Sequence, residues 1–224
     1  MCGRFTLFST YETIIQRFRI ESAIDETDYL VSYNIAPSQQ VAAVINDGSK
    51  NRLGYLRWGF IPSWAKDESV GYKMINARAE TLGEKRSFKN AYQKQRCLIV
   101  ADAFYEWRRM EEGKVPFCIK LKSSEPFGFA GLWESWKSPE GKIIHSCAII
   151  TTNANEAVSS VHDRMPVILN REEENSWLNP KLRDTQILNR LLVPYNSEEM
   201  DVYPVSKDVN SPRNNSPRLI ERIG

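Results

Sequence analysis

"QVAAVINDGSKNRLGYLRWGF", residues 40–60, sets the architecture. Two apolar-rich runs flank Asp47-Gly48, and an Asp-Gly pair supplies the positive φ that a tight turn between paired strands requires. A β-hairpin is therefore expected here. Further strands follow at "CLIVADAFYEW" (97–107), "VPFCIKL" (115–121), "FGFAGLW" (127–133) and "KIIHSCAIITT" (142–152). The turn-forming stretches "MEEGK" and "SPEGK" fall between them, and short turns between successive strands favour antiparallel pairing. Upstream, "CGRFTLF" (2–8) alternates as a strand, and "STYETIIQRF" (9–18) reads as a helix capped by Ser9 and Glu12. Only "REEENSWL" and "DTQILNRLL" add clear helices, so the class is α+β and not alternating βαβ.

The chain has 224 residues, 42% of them hydrophobic and 26% charged, which suits one domain with a sizeable core. We assign residues 1–205 to that domain. Residues 206–224, with two Ser-Pro-Arg copies around asparagines, read as an exposed irregular tail. No apolar run approaches the roughly 20 residues of a membrane span, and no signal-peptide pattern opens the chain, so a cytoplasmic protein with no membrane partner is expected. Cys97, Cys118 and Cys147 lie in strand-like runs without metal-ligand spacing. With two histidines in the chain, no metal site is expected. Phosphate-cradling glycine motifs are missing, which argues against a nucleotide cofactor. A net charge of +2 is too mild to declare a nucleic-acid binder; arginines and lysines near the start and centre suit one basic face, and equally a mixed solvated surface.

Several polar residues break the apolar pattern. Cys2, once freed of Met1, would carry an α-amine and a thiol on neighbouring carbons, a pair able to close a five-membered ring with an aldehyde. Glu106 stands between Tyr105 and Trp107 in a strand, where aromatic walls would disfavour its charged form. Alternatively it is an edge-strand glutamate paired with Arg108 or with a partner across the sheet. His162, in "VHDRMPVIL", falls in a predicted loop and could act as an acid or base, or simply hydrogen-bond backbone. Asn76 and Arg78, in "KMINARAET", share one face of an extended segment and suit an anionic or carbonyl ligand, or are a turn-stabilising Asn and a surface Arg.

The blocks "CGRF", "YNIAPSQ", "WGFIPSW", "INARAET", "FYEW" and "HDRMPVIL" together resemble the SOS-response-associated peptidase (SRAP) family of abasic-site processing proteins, in the family's order from Cys2 to Leu169. That resemblance implies a compact fold of curved, mainly antiparallel strands. It also implies an exposed N-terminal cysteine that crosslinks to abasic sites in single-stranded DNA as a thiazolidine after Met1 is removed, a step with which the family itself is credited. Residue by residue it implies Cys2 as nucleophile with Asn76, Glu106 and His162 as catalytic partners. Arg4, Trp64, Arg78 and Arg86 then correspond to strand-binding positions, with Thr151 near the site. Some relatives carry a second aromatic after Trp64, where this chain has Ala65. No cofactor is expected, and the protein is expected to act as a monomer. Two other readings stay open: a thiol peptidase acting on other peptides, and a noncatalytic single-strand binder.

Overall fold

The computed structural model describes residues 2–223. Thirteen strands are β1 (Phe5–Leu7), β2 (Ile20–Ala23), β3 (Ser32–Ile35), β4 (Gln40–Asn46), β5 (Asn51–Trp58), β6 (Asn76–Arg78), β7 (Arg96–Ala101), β8 (Ala103–Met110), β9 (Gly113–Leu121), β10 (Phe127–Lys137), β11 (Ile143–Asn153), β12 (Arg164–Pro166) and β13 (Met200–Pro204). The α-helices are α1 (Tyr11–Arg17), α2 (Lys89–Lys94), α3 (Glu156–Ser159), α4 (Arg171–Leu178) and α5 (Thr185–Arg190). None of these is long and apolar enough to cross a membrane.

The larger sheet runs β12-β11-β10-β7-β4-β5-β2, with β6 joined to β11. It curls until β5 meets β11 again, in a parallel seam that pairs Arg57 with Ser146 and Trp58 with Cys147. β11, β10, β7, β4 and β5 thereby form a closed ring, and apart from that seam their pairings are antiparallel. Closure pairs each strand of the ring on both sides, leaving the short β12 and β2 at the ends of the sheet, and gives a barrel-like α+β fold. The smaller sheet, β13-β9-β8-β1-β3, lies against it. Phe5 of β1 packs edge-on to Trp58 at 5.1 Å and to Phe129 at 5.7 Å, so the first strand is rooted in the main core.

The hairpin at 40–60 forms, with Asn46 opposite Asn51. Its loop spans four residues, not a two-residue turn: Asp47 Oδ1 accepts from the backbone of Ser49 and Lys50, and Gly48 alone takes a positive φ, 99°. "CLIVADAFYEW" is not one strand. It breaks at Asp102, where β7 of the large sheet passes into β8 of the small one, and the Asp102 carboxylate accepts from Phe8 N and Ser9 N. Ser9 is thereby diverted from capping α1; Thr10 caps it instead, accepting from Thr13 N at 3.3 Å. β12 occupies part of the stretch read as a loop, and α2 and α3 were not foreseen, being too short to show a helical period. Residues 206–223 are irregular, as two short 3-10 turns, but they are not a loose exposed end. Val209 and Leu219 are buried against Ala103, Tyr105, Cys118 and Tyr203 on the outer face of the small sheet.

A glycine pair shapes the loop between β5 and β6 that carries Trp64. Gly59 has φ +137°, a region L side chains avoid, and the two backbones touch: a Cβ on Gly71 would lie 2.7 Å from the Gly59 carbonyl oxygen. Gly71 has no unusual φ, so Gly71→Ala isolates the crowding. It is expected to cost about 1–3 kcal/mol in denaturant unfolding, the usual range for overpacking against backbone. An unchanged unfolding midpoint would show that the crossing yields freely.

Candidate active site

Antiparallel pairing of β1 with β8 sets Phe5 opposite Phe104, and Tyr105 N donates to Arg4 O at 2.9 Å. One step further along this register, Glu106 passes beside the start of the described chain. Side chains alternate along a strand. Tyr105 and Trp107 accordingly point outward to the C-terminal segment, while Glu106 shares the inward face of Phe104. Glu106 is therefore not desolvated by its aromatic neighbours in sequence, as the local pattern suggested. β8 is also an interior strand of its sheet, so Glu106 is not an edge residue.

Cys2 is fully buried, and its carbonyl oxygen accepts from Asn76 Nδ2 at 2.8 Å. Asn76 is delivered by β6, whose parallel pairing with β11 sets Ile149 beside Asn76 and Thr151 beside Arg78. Ala77, between them, faces the core, which leaves Asn76 and Arg78 on the other face; Arg78 is exposed. The Asn76 Oδ1 atom is buried and accepts no hydrogen bond among the described residues. An acceptor left in that condition is costly unless a ligand or solvent serves it.

Burial pushes the Glu106 carboxyl above its ordinary range, and the nearby His162 imidazole acts in the opposite direction. Burial also raises the Cys2 thiol, and the charge on Glu106 raises it further, so the thiol stays protonated at neutral pH. The resemblance implied an exposed cysteine; the structure packs its side chain into the main core instead. His162 follows α3, with Nδ1 accepting from Arg164 N at 3.0 Å and lying 2.8 Å from Asp163 Oδ1. Cys2, Asn76, Glu106 and His162 thus converge from four separated parts of the chain. Removal of Met1 concerns a residue outside the described range.

The remaining site residues fall into three places. Trp64 is 52% exposed, and the Arg86 guanidinium sits over its ring at 5.3 Å. Beneath them Phe60 and Phe88 pack at 5.2 Å and tie the two loops together. Ala65 is committed to the scaffold: its carbonyl accepts from Trp136 Nε1 at 2.8 Å. Thr151 is buried and joined to Arg164, whose guanidinium donates to Thr151 O and grips Glu80 through both carboxylate oxygens at 2.6 and 2.9 Å. Arg4 is bonded to Asn34 Oδ1 at 2.8 Å and Val209 O at 2.7 Å. Sequence reasoning missed the Arg164–Glu80 clamp, since the partners are far apart in the chain. It also missed Asn34, whose one signal is a poor strand former inside β3.

Three comparisons bear on this arrangement. The Bacillus subtilis protein named abasic site processing protein YoqW is 58% identical over 222 residues, covering 99% of each chain. The Xenopus tropicalis protein named abasic site processing protein HMCES is 30% identical, over 89% of this chain and 68% of its own length. A crystal structure of a Bacteroides thetaiotaomicron protein superposes with a TM-score of 0.89 at 28% identity, covering 99% of this chain and all of the other. The profile described as SOS response associated peptidase (SRAP) matches residues 1–212, and the chain belongs to that family.

Proposed function

We propose that this protein processes abasic sites in single-stranded DNA by forming a covalent adduct through Cys2 once Met1 has been removed. The names of its relatives, abasic site processing proteins, support the substrate class. The observation that carries the chemistry is a buried carboxyl, raised above its usual range, within electrostatic reach of both the residue-2 thiol and an imidazole.

Removing Met1 converts the amide nitrogen of Cys2 into an α-amine with an ordinary pKa of about 7.7–8.0, so a useful fraction is nucleophilic at neutral pH. The amine adds to the open-chain aldehyde of the abasic sugar and loses water to give an imine. The thiol then adds across the C=N bond: sulfur bonds to carbon, its proton ends on nitrogen, and a thiazolidine closes. Glu106 takes the thiol proton and returns it to nitrogen, which is why a raised carboxyl next to a protonated thiol suits the step. His162 assists sugar opening and the departure of water. The unserved Asn76 Oδ1 accepts from the ring N–H. Arg4, Arg78 and Arg86 hold phosphates, and the exposed Trp64 stacks on a base beside the lesion.

Processed protein mixed with single-stranded DNA carrying one abasic site is expected to give a band that survives denaturing electrophoresis. A tetrahydrofuran analogue, which lacks the aldehyde, is expected to give none. Equal bands from both strands, or no band from either, would remove this reading.

A further inference from the structure

Asn34 is 2% exposed, and its side-chain amide joins four other residues. Its Oδ1 accepts from Arg4 Nη1 at 2.8 Å, while Nδ2 donates to the carbonyls of Asn214 (2.7 Å), Ser211 (2.9 Å) and Val209 (3.3 Å). An amide nitrogen has two protons, so the three carbonyls share them. The same Val209 carbonyl also receives Arg4 Nη1, at 2.7 Å. A second tether lies alongside. Trp107, the residue after Glu106, donates from Nε1 to Asn210 Oδ1 at 2.7 Å, and the Arg4 guanidinium lies 5.9 Å from its ring. The segment 209–214 thus grips the side chains that follow both Glu106 and, two places on, Cys2.

The Arg4 backbone is already fixed by Tyr105 N, so these bonds do not serve to place the main chain. They fix the guanidinium. With Nη1 anchored to two oxygens and Nε buried, the donor left to meet a ligand is Nη2, which makes no hydrogen bond among the described residues. A guanidinium held through one terminal nitrogen, with the other terminal nitrogen uncommitted, is suited to meet a phosphate without first losing rotamer freedom.

We propose that Asn34 is a positioning residue: together with residues 209–214 it orients Arg4 toward the DNA backbone, which makes the C-terminal segment a working part of the nucleic-acid interface. This rests on the strand-binding role given to Arg4 above, and the test is built to separate the two. Affinity is measured for a single strand containing the tetrahydrofuran analogue, which binds without reacting, so it is independent of the crosslinking chemistry.

Asn34→Ala and Arg4→Ala are each expected to weaken binding about tenfold, and the double variant also about tenfold, because each removes the same contact. With the reactive strand, Asn34→Ala is expected to keep the crosslinking rate at saturating DNA within about twofold of the wild type. Additive losses of about a hundredfold in the double variant, or an Asn34→Ala effect confined to the saturated rate, would overturn the proposal. If Asn34→Ala does not fold, the exposed Asn210→Ala replaces it; it is expected to weaken affinity about threefold, and unaltered affinity overturns the proposal. Non-additive binding in a protein that forms no adduct would leave the positioning role standing and remove the chemistry.

Discussion

Replacing Cys2 by alanine is expected to abolish the denaturation-resistant adduct, by about a thousandfold or more in yield at fixed time. Alanine at position 2 is as compatible with methionine removal as cysteine, so the variant still presents an α-amine. It can still form an imine, but it has no thiol to close the ring, and an imine left open to water hydrolyses. Intramolecular closure by a well-placed group has effective molarities of about 10⁵ M or more, and that advantage is what the substitution deletes. The check is a denaturing gel run with and without borohydride. The native protein should give a band in both lanes, and Cys2→Ala only a faint one where reductant traps the imine. A full band from Cys2→Ala without reductant would end the N-terminal assignment. The thiol is buried in the described structure, so its removal also costs some packing, but that effect on stability should be far smaller than the effect on chemistry.

Glu106→Gln is expected to slow crosslinking about a hundredfold, within the span ordinarily lost with a general acid or base. It should also make the protein more stable at neutral pH. The folded state holds the Glu106 proton more tightly than the unfolded chain does, because burial raises the carboxyl above its ordinary value of 4.5. Its contribution to stability is therefore complete below that value and is lost as pH rises through the higher folded value, where a buried carboxylate must be carried. Glutamine carries no such charge. The melting temperature of the variant should match the native protein near pH 4 and exceed it increasingly toward neutrality. Equal melting curves at pH 7, together with an unchanged crosslinking rate, would remove Glu106 from both roles.

Much of this protein was legible in its sequence because its strands are apolar runs bounded by turn residues, and those signals act locally. The hairpin at 40–60, the helix at 171–178 and the extended 76–78 segment all follow from neighbours within a few positions. What was not legible depends on partners distant in the chain. Asp102 breaks a continuous apolar run because Phe8 and Ser9 donate to it, and no spacing rule records that. The tail looked free because Pro, Ser and Asn are turn formers; the carbonyls it offers to Asn34 depend on geometry alone. Glu106 was singled out for a sound reason, a charge in an apolar strand, with the wrong walls assigned, since its neighbours in sequence face away from it. Its environment comes from the other side of the strand.

The parallel seam between β5 and β11 has a consequence for the newborn chain. Arg57 must find Ser146, and β6 must then dock beside Ile149, before Asn76 can reach the carbonyl of residue 2. Contacts of such sequence separation form slowly, and only after most of the polypeptide has left the ribosome. A terminal amine and thiol are reactive toward aldehydes generally, yet on the proposed mechanism the groups that move their protons come together only through these distant pairings. On that mechanism most of the chain, through His162, is therefore made before it can react efficiently with an aldehyde.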